Sequence, residues 1–310
     1  MDRLAQLELL VAVAEAGSVG GGARALGLSN AAASRMLASL ESRLGVRLVE
    51  RNTRRLYLTE EGNSFLPRAR SILADLVDAE AALTEKALDP TGILRVSASL
   101  SFAMQHIAPM LPDYIARYPK VRVHVEVANR YLDLIDSNID VAIRTREQEP
   151  DSNITIRRLA QTRRILVAAP SYLERRGVPR HPLELNAHDL LLYTYARNPN
   201  LLAFRRLDGA GAVDVPVEGL LESNDGQILR AAALGGLGII VQPAYIVHDD
   251  VENGLLVPVL DEWDLPRLTI NIAYQSRKDL SAKIRSFVDF MAERFRRAEY
   301  ERKWTTSRAM

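Results

Sequence analysis

Ala23-Arg24-Ala25-Leu26-Gly27-Leu28-Ser29-Asn30-Ala31-Ala32-Ala33-Ser34-Arg35 is the stretch whose reading decides the fold. A short helix runs into Gly27, a residue that takes φ > 0 without steric cost. Leu28 then plugs the angle between two helices, and Ser29 is a ready N-cap for the second of them. That second helix is predicted from about Asn30 to Leu44, with Leu37, Leu40 and Leu44 as its buried stripe and Gly45 as its stop. Short helix, glycine turn and capped second helix make a helix-turn-helix. The exposed start of the second helix carries Asn30, Ser34 and Arg35, types that hydrogen-bond base edges or phosphates.

On the N-terminal side, Leu4, Leu7, Leu10, Val11 and Val13 follow helical spacing up to Ala16. Gly17 ends that helix and Ser18 caps the short one, predicted over Val19 to Leu26. On the C-terminal side, Val46 to Val49 and Leu56 to Leu58 read as two short strands around Glu50-Arg51-Asn52-Thr53-Arg54-Arg55. An arginine-tipped hairpin beside a helix-turn-helix is a wing, placed to follow the DNA backbone or enter the minor groove. The whole chain carries a net charge of only +1, but from Arg35 to Arg55 six arginines face two glutamates. Such a local cluster can attract phosphate even on a nearly neutral chain, and on charge alone a solvated helix face plus a basic turn is the equal alternative. A plain helical bundle is the bland alternative; the agreement of caps, turn and basic hairpin argues against it.

Thr59 is placed to cap a long helix, with Pro67 near its start and no proline or glycine between Ala69 and Leu88. Leu66, Ala69, Leu73, Leu76, Leu83 and Ala87 form an approximate heptad seam. A helix of about 28 residues spans roughly 42 Å, too long for the small domain before it to cover. It reads as a dimerisation helix, with packing inside one chain as the alternative. Asp89-Pro90-Thr91-Gly92 then reads as a hinge.

Beyond the hinge, strand and helix signals alternate: strands at Ile93 to Ala98, Val121 to Val127, Asp140 to Arg144, Ile165 to Ala169, Gly238 to Val241 and Leu268 to Tyr274. Helices are predicted at Phe102 to Arg117, Leu132 to Ser137, Gln227 to Leu234 and Ser281 to about Ala298. The alternation predicts parallel α/β layers, whose ligands sit beyond the carboxyl ends of strands. Ser99 and Ser101 follow the first strand, and Arg144 and Thr145 follow a later one, so these four are candidate effector contacts. Ser101 as a plain helix cap is the competing reading.

Ala23-Arg24-Ala25-Leu26-Gly27-Leu28-Ser29, Leu40-Glu41-Ser42-Arg43-Leu44-Gly45-Val46-Arg47-Leu48 and the run from Glu50 through Thr59-Glu60-Glu61-Gly62 resemble the DNA-binding domain of LysR-type transcriptional regulators. Val167-Ala168-Ala169-Pro170-Ser171-Tyr172-Leu173, Leu234-Gly235-Gly236-Leu237-Gly238-Ile239, Pro243-Ala244-Tyr245 and Phe287-Val288-Asp289-Phe290 are similar to that family's effector domain. The resemblance implies an α+β multi-domain chain. A winged helix-turn-helix occupies 1–60, a linker or dimerisation helix with hinge 61–90, and a periplasmic-binding-protein-like effector domain 91–310. Its subdomains are expected at about 91–162 with 276–300, and at about 163–275. It also implies Ser29, Asn30, Ala31, Ser34 and Arg35 as the groove-facing set, Arg51, Arg54 and Arg55 on the wing, and Phe204 and Asn224 as further cleft residues. Asn30-Ala31 stands where the family usually has Gln-Pro, and Gly20-Gly21-Gly22 where it has threonine and alanines. Because each interior glycine costs a helix up to about 1 kcal/mol relative to alanine, the second helix is expected to be soft until DNA or packing orders it.

The expected partners are double-stranded DNA, a small-molecule effector (a carboxylate fits the serine-rich helix start), a second copy in a dimer or tetramer, and RNA polymerase. The chain has no cysteine and five scattered histidines without metal-site spacing; no cofactor, metal site or catalytic group is expected, and the chain does not read as an enzyme. Gly235-Gly236-Leu237-Gly238 precedes a strand instead of following one, so it reads as a turn and not a dinucleotide loop. No signal-peptide pattern and no membrane-length apolar run is present, which predicts a cytoplasmic protein. An effector-independent architectural DNA-binding protein and, less favoured, a solute-binding protein are the alternatives. The sequence leaves activation or repression open.

Overall fold

The computed structural model describes residues 2–51, 56–82, 89–130, 134, 137–147, 154–275 and 280–307. The chain divides into two compact units, residues 1–89 with 133–138, and residues 90–132 with 139–310. Among the described residues no single helix is long and apolar enough to cross a membrane.

In the first unit, helix α1 (Arg3–Ala16) is capped by Asp2, whose carboxylate accepts from Leu4 N at 2.9 Å. Helix α2 (Val19–Ala25) is capped by Ser18, which accepts from Gly21 N at 3.0 Å. Helix α3 (Asn30–Leu44) is capped by Ser29, which accepts from Ala32 N at 3.2 Å. Gly27, at φ +66°, makes the turn between α2 and α3. Strands β1 (Val49–Arg51) and β2 (Leu56–Leu58) pair antiparallel with Val49 opposite Leu58. The first strand starts three residues later than the expected Val46. Glu41 takes the amides of Leu48 and Val49, and Thr59 takes the carbonyls of Arg47 and Leu48, so this segment has no free edge to pair.

Helix α4 (Glu60–Ala82) starts where expected, with the Thr59 hydroxyl accepting from Gly62 N at 2.9 Å. The heptad seam is partly corrected. Leu66 and Ala69 are buried in this unit's own core with Leu10, Val13, Leu37 and Leu40, and Leu73 packs against it. Leu83 and Ala87 lie outside the described residues.

The glycine run of α2 has a packing role beside the expected softness. A Cβ on Gly22 would stand 2.6 Å from Val13 Cγ2 and 2.7 Å from Val13 N, and one on Gly21 would stand 2.6 Å from Ala16 Cβ. Alanines here would push α2 off α1.

The second unit opens with β3 (Gly92–Ala98), then α5 (Leu100–Phe102), a π turn (Ala103–Ile107), a 3-10 turn (Ala108–Met110) and α6 (Leu111–Arg117). Strands β4 (Val121–Val127), β5 (Val141–Arg146), β6 (Ile154–Thr162) and β7 (Arg164–Ala168) and helix α7 (Pro170–Arg176) follow. Next come β8 (Leu190–Tyr193), β9 (Leu201–Arg206), β10 (Ala212–Pro216), β11 (Gly219–Ser223), α8 (Gly226–Leu234), β12 (Ile239–Pro243) and α9 (Ala244–Glu252). The chain closes with β13 (Val257–Val259), β14 (Trp263–Asp264), β15 (Leu268–Gln275), α10 (Ala282–Arg297) and α11 (Tyr300–Thr305). The helix expected over Leu132 to Ser137 falls mostly outside the described residues.

The strands form one sheet in the order β4-β3-β5-β15-β6, a second in the order β11-β8-β12-β7-β13, and a small β10-β9-β14 sheet. The expected parallel α/β layers are present in part, with antiparallel strands added to each sheet. Strand β3 pairs parallel with β4 and β5, and β8 with β11 and β12, but β15 runs antiparallel to β5 and β6, and β7 to β12 and β13. Parallel neighbours need a crossover of a dozen or more residues. The chain steps between the sheets at Arg163 and again over residues 260–267, so β7 and β15 each enter their sheet by such a step and not by a βαβ crossover. The second step also moves the expected subdomain limit: β15 belongs to the first sheet, so the boundary falls before Leu268 and not after residue 275.

His106, on the π turn, is 7% exposed and ringed by Phe102, Tyr245, Phe295, Tyr300 and Trp304 at centroid distances of 5.0–5.9 Å. Neither ring nitrogen has a hydrogen-bond partner among the described residues. Burial, reinforced by the Arg294 charge, pushes its pKa from 6.5 down to about 4.

Gly22→Ala should lower the stability of the DNA-binding unit by about 1–3 kcal/mol, the cost of overpacking against backbone. Gly20→Ala, whose Cβ meets only the Asn30 side chain at 3.3 Å, should be neutral or stabilising by up to about 1 kcal/mol; urea denaturation of both variants reads the difference. His106 binds a proton near pH 6.5 when unfolded and near 4 when folded. Its neutral burial therefore costs nothing above about pH 6.5 and costs up to about 3 kcal/mol as pH falls toward 4. His106→Leu should flatten that acid limb, and equal pH slopes for the two proteins between pH 7 and 4.5 would refute it.

Candidate DNA-reading helix and effector cleft

The recognition surface comes from holding one face of α3 and freeing the other. On the held face, buried Gln6 donates to Ser39 Oγ at 3.2 Å and accepts from Arg43 at 3.1 Å. Glu41 Oε1 accepts from Leu48 N at 2.9 Å and Val49 N at 3.0 Å, joining α3 to the base of the hairpin. On the free face, Ser29, Asn30, Ala31 and Arg35 are exposed and Ser34 is half-buried. The 3.6-residue period places Asn30 and Ser34, and Ala31 and Arg35, on adjacent rows of that face. Arg51 stands at the end of β1, while Arg54 and Arg55 lie outside the described residues. Exposed Arg47 belongs to the basic cluster read from the sequence, and exposed Arg24, which sequence reasoning did not assign to DNA, lies on α2 just before the turn. Arg24, Arg35 and Arg47 make no ion pair among the described residues, so their charge is available to a polyanion.

The second unit holds a cleft of about 760 Å³, of the size that takes small-molecule ligands. Of the six expected effector residues, Ser99, Ser101 and Thr145 line it. Ser99 caps the helix start, accepting from Phe102 N at 3.3 Å. Arg144 is next to Thr145 on β5 but points to the opposite face, is buried and sits opposite Asn271 on β15. Asn224 is not among the lining residues but donates to the hydroxyl of Tyr195, which is, at 3.1 Å. Phe204 is a correction: it is 1% exposed in a separate core, with its ring edge-on to Trp263 at 6.4 Å, and does not line the cleft.

Sequence reasoning missed most of the charge at the site. Among the described residues, Arg130, Arg146, Arg164 and Arg197 line the cleft against one carboxylate, Glu147. Arg164 donates to Pro266 O at 2.9 Å and pairs with Glu147 at 3.1 Å. Its burial depresses the guanidinium pKa while Glu147 and Asp264 oppose the shift. At the exposed rim, Arg130 donates to the Tyr195 hydroxyl at 2.8 Å and its guanidinium lies 4.9 Å from the ring centroid. Donation from Asn224 and Arg130 holds the Tyr195 phenol below its ordinary pKa. Arg130 and Arg197 come from loops, Arg146 from the end of β5 and Arg164 from the start of β7, and no periodic signal marks any of them as a cleft residue.

The family profile described as "Bacterial regulatory helix-turn-helix protein, lysR family" matches residues 4–63, and that of the "LysR substrate binding domain" matches residues 88–296. An HTH-type transcriptional regulator of Xanthomonas campestris is 35% identical over 288 residues, 92% of this chain and 83% of its own length. The HTH-type transcriptional activator TtdR of Escherichia coli is 33% identical over 286 residues, 92% of this chain and 91% of its own. Among solved structures, CrgA, a LysR-type transcriptional regulator from Neisseria meningitidis, superposes with a TM-score of 0.61 at 31% identity, covering 95% of this chain and 99% of that one. The Vibrio cholerae virulence activator AphB superposes at 0.59 with 28% identity, covering 94% and 99%. With the reading helix of one unit and the cleft of the other both matched, the chain belongs to the LysR family of DNA-binding transcriptional regulators, oligomeric and non-enzymatic proteins that carry an effector-binding domain.

Proposed function

We propose that this regulator reads its operator with Ser29, Asn30, Ala31, Ser34 and Arg35 on α3. Arg51, Arg54 and Arg55 on the wing contact the DNA backbone. The observation that carries this is the free face of α3, with Arg35 exposed beside Asn30 and Ala31 while the opposite face is fixed by Gln6 and Glu41. Two copies, joined through α4 and its continuation as a dimer or as half of a tetramer, place two such helices in successive major grooves of an approximately palindromic site. Asn30-Ala31 shapes the base preference.

The second unit takes a small anion such as a carboxylate in its cleft, a reading supported by the four arginines and one glutamate that line it among the described residues. Occupancy alters transcription by shifting the balance between two arrangements of the regulator. The protein works in the cytoplasm, where the promoter and RNA polymerase are its further partners.

Binding of the purified protein to DNA flanking its own gene, at two salt concentrations, tests the reading. Wild type should bind specifically, with affinity falling as salt rises. Arg35→Ala should weaken specific binding by roughly 10- to 100-fold, the loss of about 1–3 kcal/mol per base contact. Binding that ignores sequence and is indifferent to Arg35→Ala would point to an architectural protein instead.

A further inference from the structure

Gln242 lies near the end of β12, between Val241 and Pro243, after the apolar Ile239 and Ile240. It is 2% exposed and lines the cleft, yet its Nε2 makes no hydrogen bond among the described residues. An orphaned buried donor is costly, and a leucine at this position would avoid the cost altogether. Ser101, 3% exposed, stands at the same corner. Its Oγ accepts from Gln227 Nε2 at 3.0 Å, which leaves its own proton to donate. A Cβ on Gly226 would sit 3.3 Å from both Ser101 Oγ and Gln242 Oε1, so this glycine keeps open the space on which the two polar heads converge. These buried groups are uncharged, whereas Arg130 and Arg197 are exposed at the rim.

We propose that the Ser101–Gly226–Gln242 corner is a subsite for an uncharged oxygen of the effector, and that Gln242 is the residue that selects for it. The inference rests on reading the cleft as the effector site. The ligand it implies is a small carboxylate bearing a second, neutral oxygen, with the carboxylate toward the arginines and the hydroxyl or keto oxygen at the buried corner. A hydroxyl serves either orientation of the Gln242 amide; a keto oxygen serves only the one with Nε2 inward.

The test uses the full-length protein and matched acids: propanoate, lactate and pyruvate; succinate, malate and oxaloacetate; benzoate and 4-hydroxybenzoate. Calorimetric titration and thermal shift are read for wild type, Gln242→Leu and Ser101→Ala, with DNA binding as the check that each variant is folded. In at least one set the oxygenated acid should bind wild type roughly tenfold tighter than its parent, the value of one hydrogen bond in a buried site. Gln242→Leu should collapse that ratio toward one while the parent acid keeps its affinity within about twofold. Ser101→Ala should reduce the ratio in the same direction, which keeps the proposal testable if Gln242→Leu does not fold. Parent acids that bind with no preference for the added oxygen, or a preference that Gln242→Leu leaves unchanged, overturn the subsite and leave the anion cleft standing. No binding by any acid to the folded protein overturns both.

Discussion

The second unit depends on how Arg163 is held at the step between its two sheets. The residue is 1% exposed, and burying a guanidinium is expensive unless charge and hydrogen bonds are both answered. Here they are. Nε donates to Asp264 at 2.9 Å, one Nη to Asp261 at 2.8 Å, and the other to the carbonyls of Asp261 and Trp263 at 3.0 and 3.2 Å. Its backbone is equally engaged, donating to Trp304 O at 3.0 Å and accepting from Ala244 N at 2.9 Å. Arg267 answers the second oxygen of Asp264, and Ser307 donates to Asp261. One residue, through side chain and backbone together, thus ties the first step between the sheets to the second, and both to the C-terminal segment and the start of α9. Removing one partner would strand a buried charge, which makes the network a device for fixing geometry more than for adding stability.

The same residue type is used in the opposite sense on the DNA-binding unit. Away from the cleft, several arginines of the second unit are matched: Arg157 with Asp289, Arg158 with Glu301, and Arg230 with the buried Asp250 through two hydrogen bonds. Around α3, Arg24 and Arg35 are exposed without an ion pair among the described residues. A net charge of +1 hides this division, because paired and unpaired arginines count alike in a sum. What a polyanion meets is the local excess, and that excess lies beside a helix whose back is anchored by Gln6 and whose start is capped by Ser29.

The helix-turn-helix was legible because its determinants are local. Ser18, Gly27, Ser29 and Gly45 act on their own turns, so reading them in order predicts α1 to α3 to within a residue. The role of Gly22 was not legible, since a glycine required by a neighbouring helix and one that merely weakens its own look alike in sequence. The second unit shows the same limit on a larger scale. Strand β15 looks like any apolar strand, and only long-range pairing decides that it joins β5 and β6 antiparallel. Strands β8 to β11 are short and lie between turns, and Phe204 reads equally well as core or cleft without its partner Trp263 in view. The serines after β3 were found by a rule about strand ends. Arg130 and Arg197 obey no such rule, because loop residues carry no period, and Arg164 opens β7 at the end opposite the one the rule points to. Gln242 did leave a signal, a lone amide closing an otherwise apolar run, which is how a buried polar site shows in a sequence.

The cleft is bridged on its own terms before any ligand enters. Asn129, after β4, donates to Asp225 Oδ2 at 2.7 Å and to Asn224 O at 3.0 Å, Gln105 donates to Ile246 O at 2.8 Å, and Gln227 reaches Ser101. Each of these bonds joins the first sheet's side of the cleft to the second's. A ligand that contacts Ser101 and Gln242 adds one more link of the same kind, between the helix start after β3 and strand β12. A ligand shifts an equilibrium only by its difference in affinity for the two states. One that touched a single sheet would bind without consequence for their relation, whereas one that spans the cleft must favour the spacing that lets both ends bond. Arg164 sits beside Arg163 at the step between the sheets and also lines the cleft. Arg163 at the step and Arg164 in the cleft wall are consecutive residues, so the passage between the sheets and the lining of the cleft share one stretch of backbone.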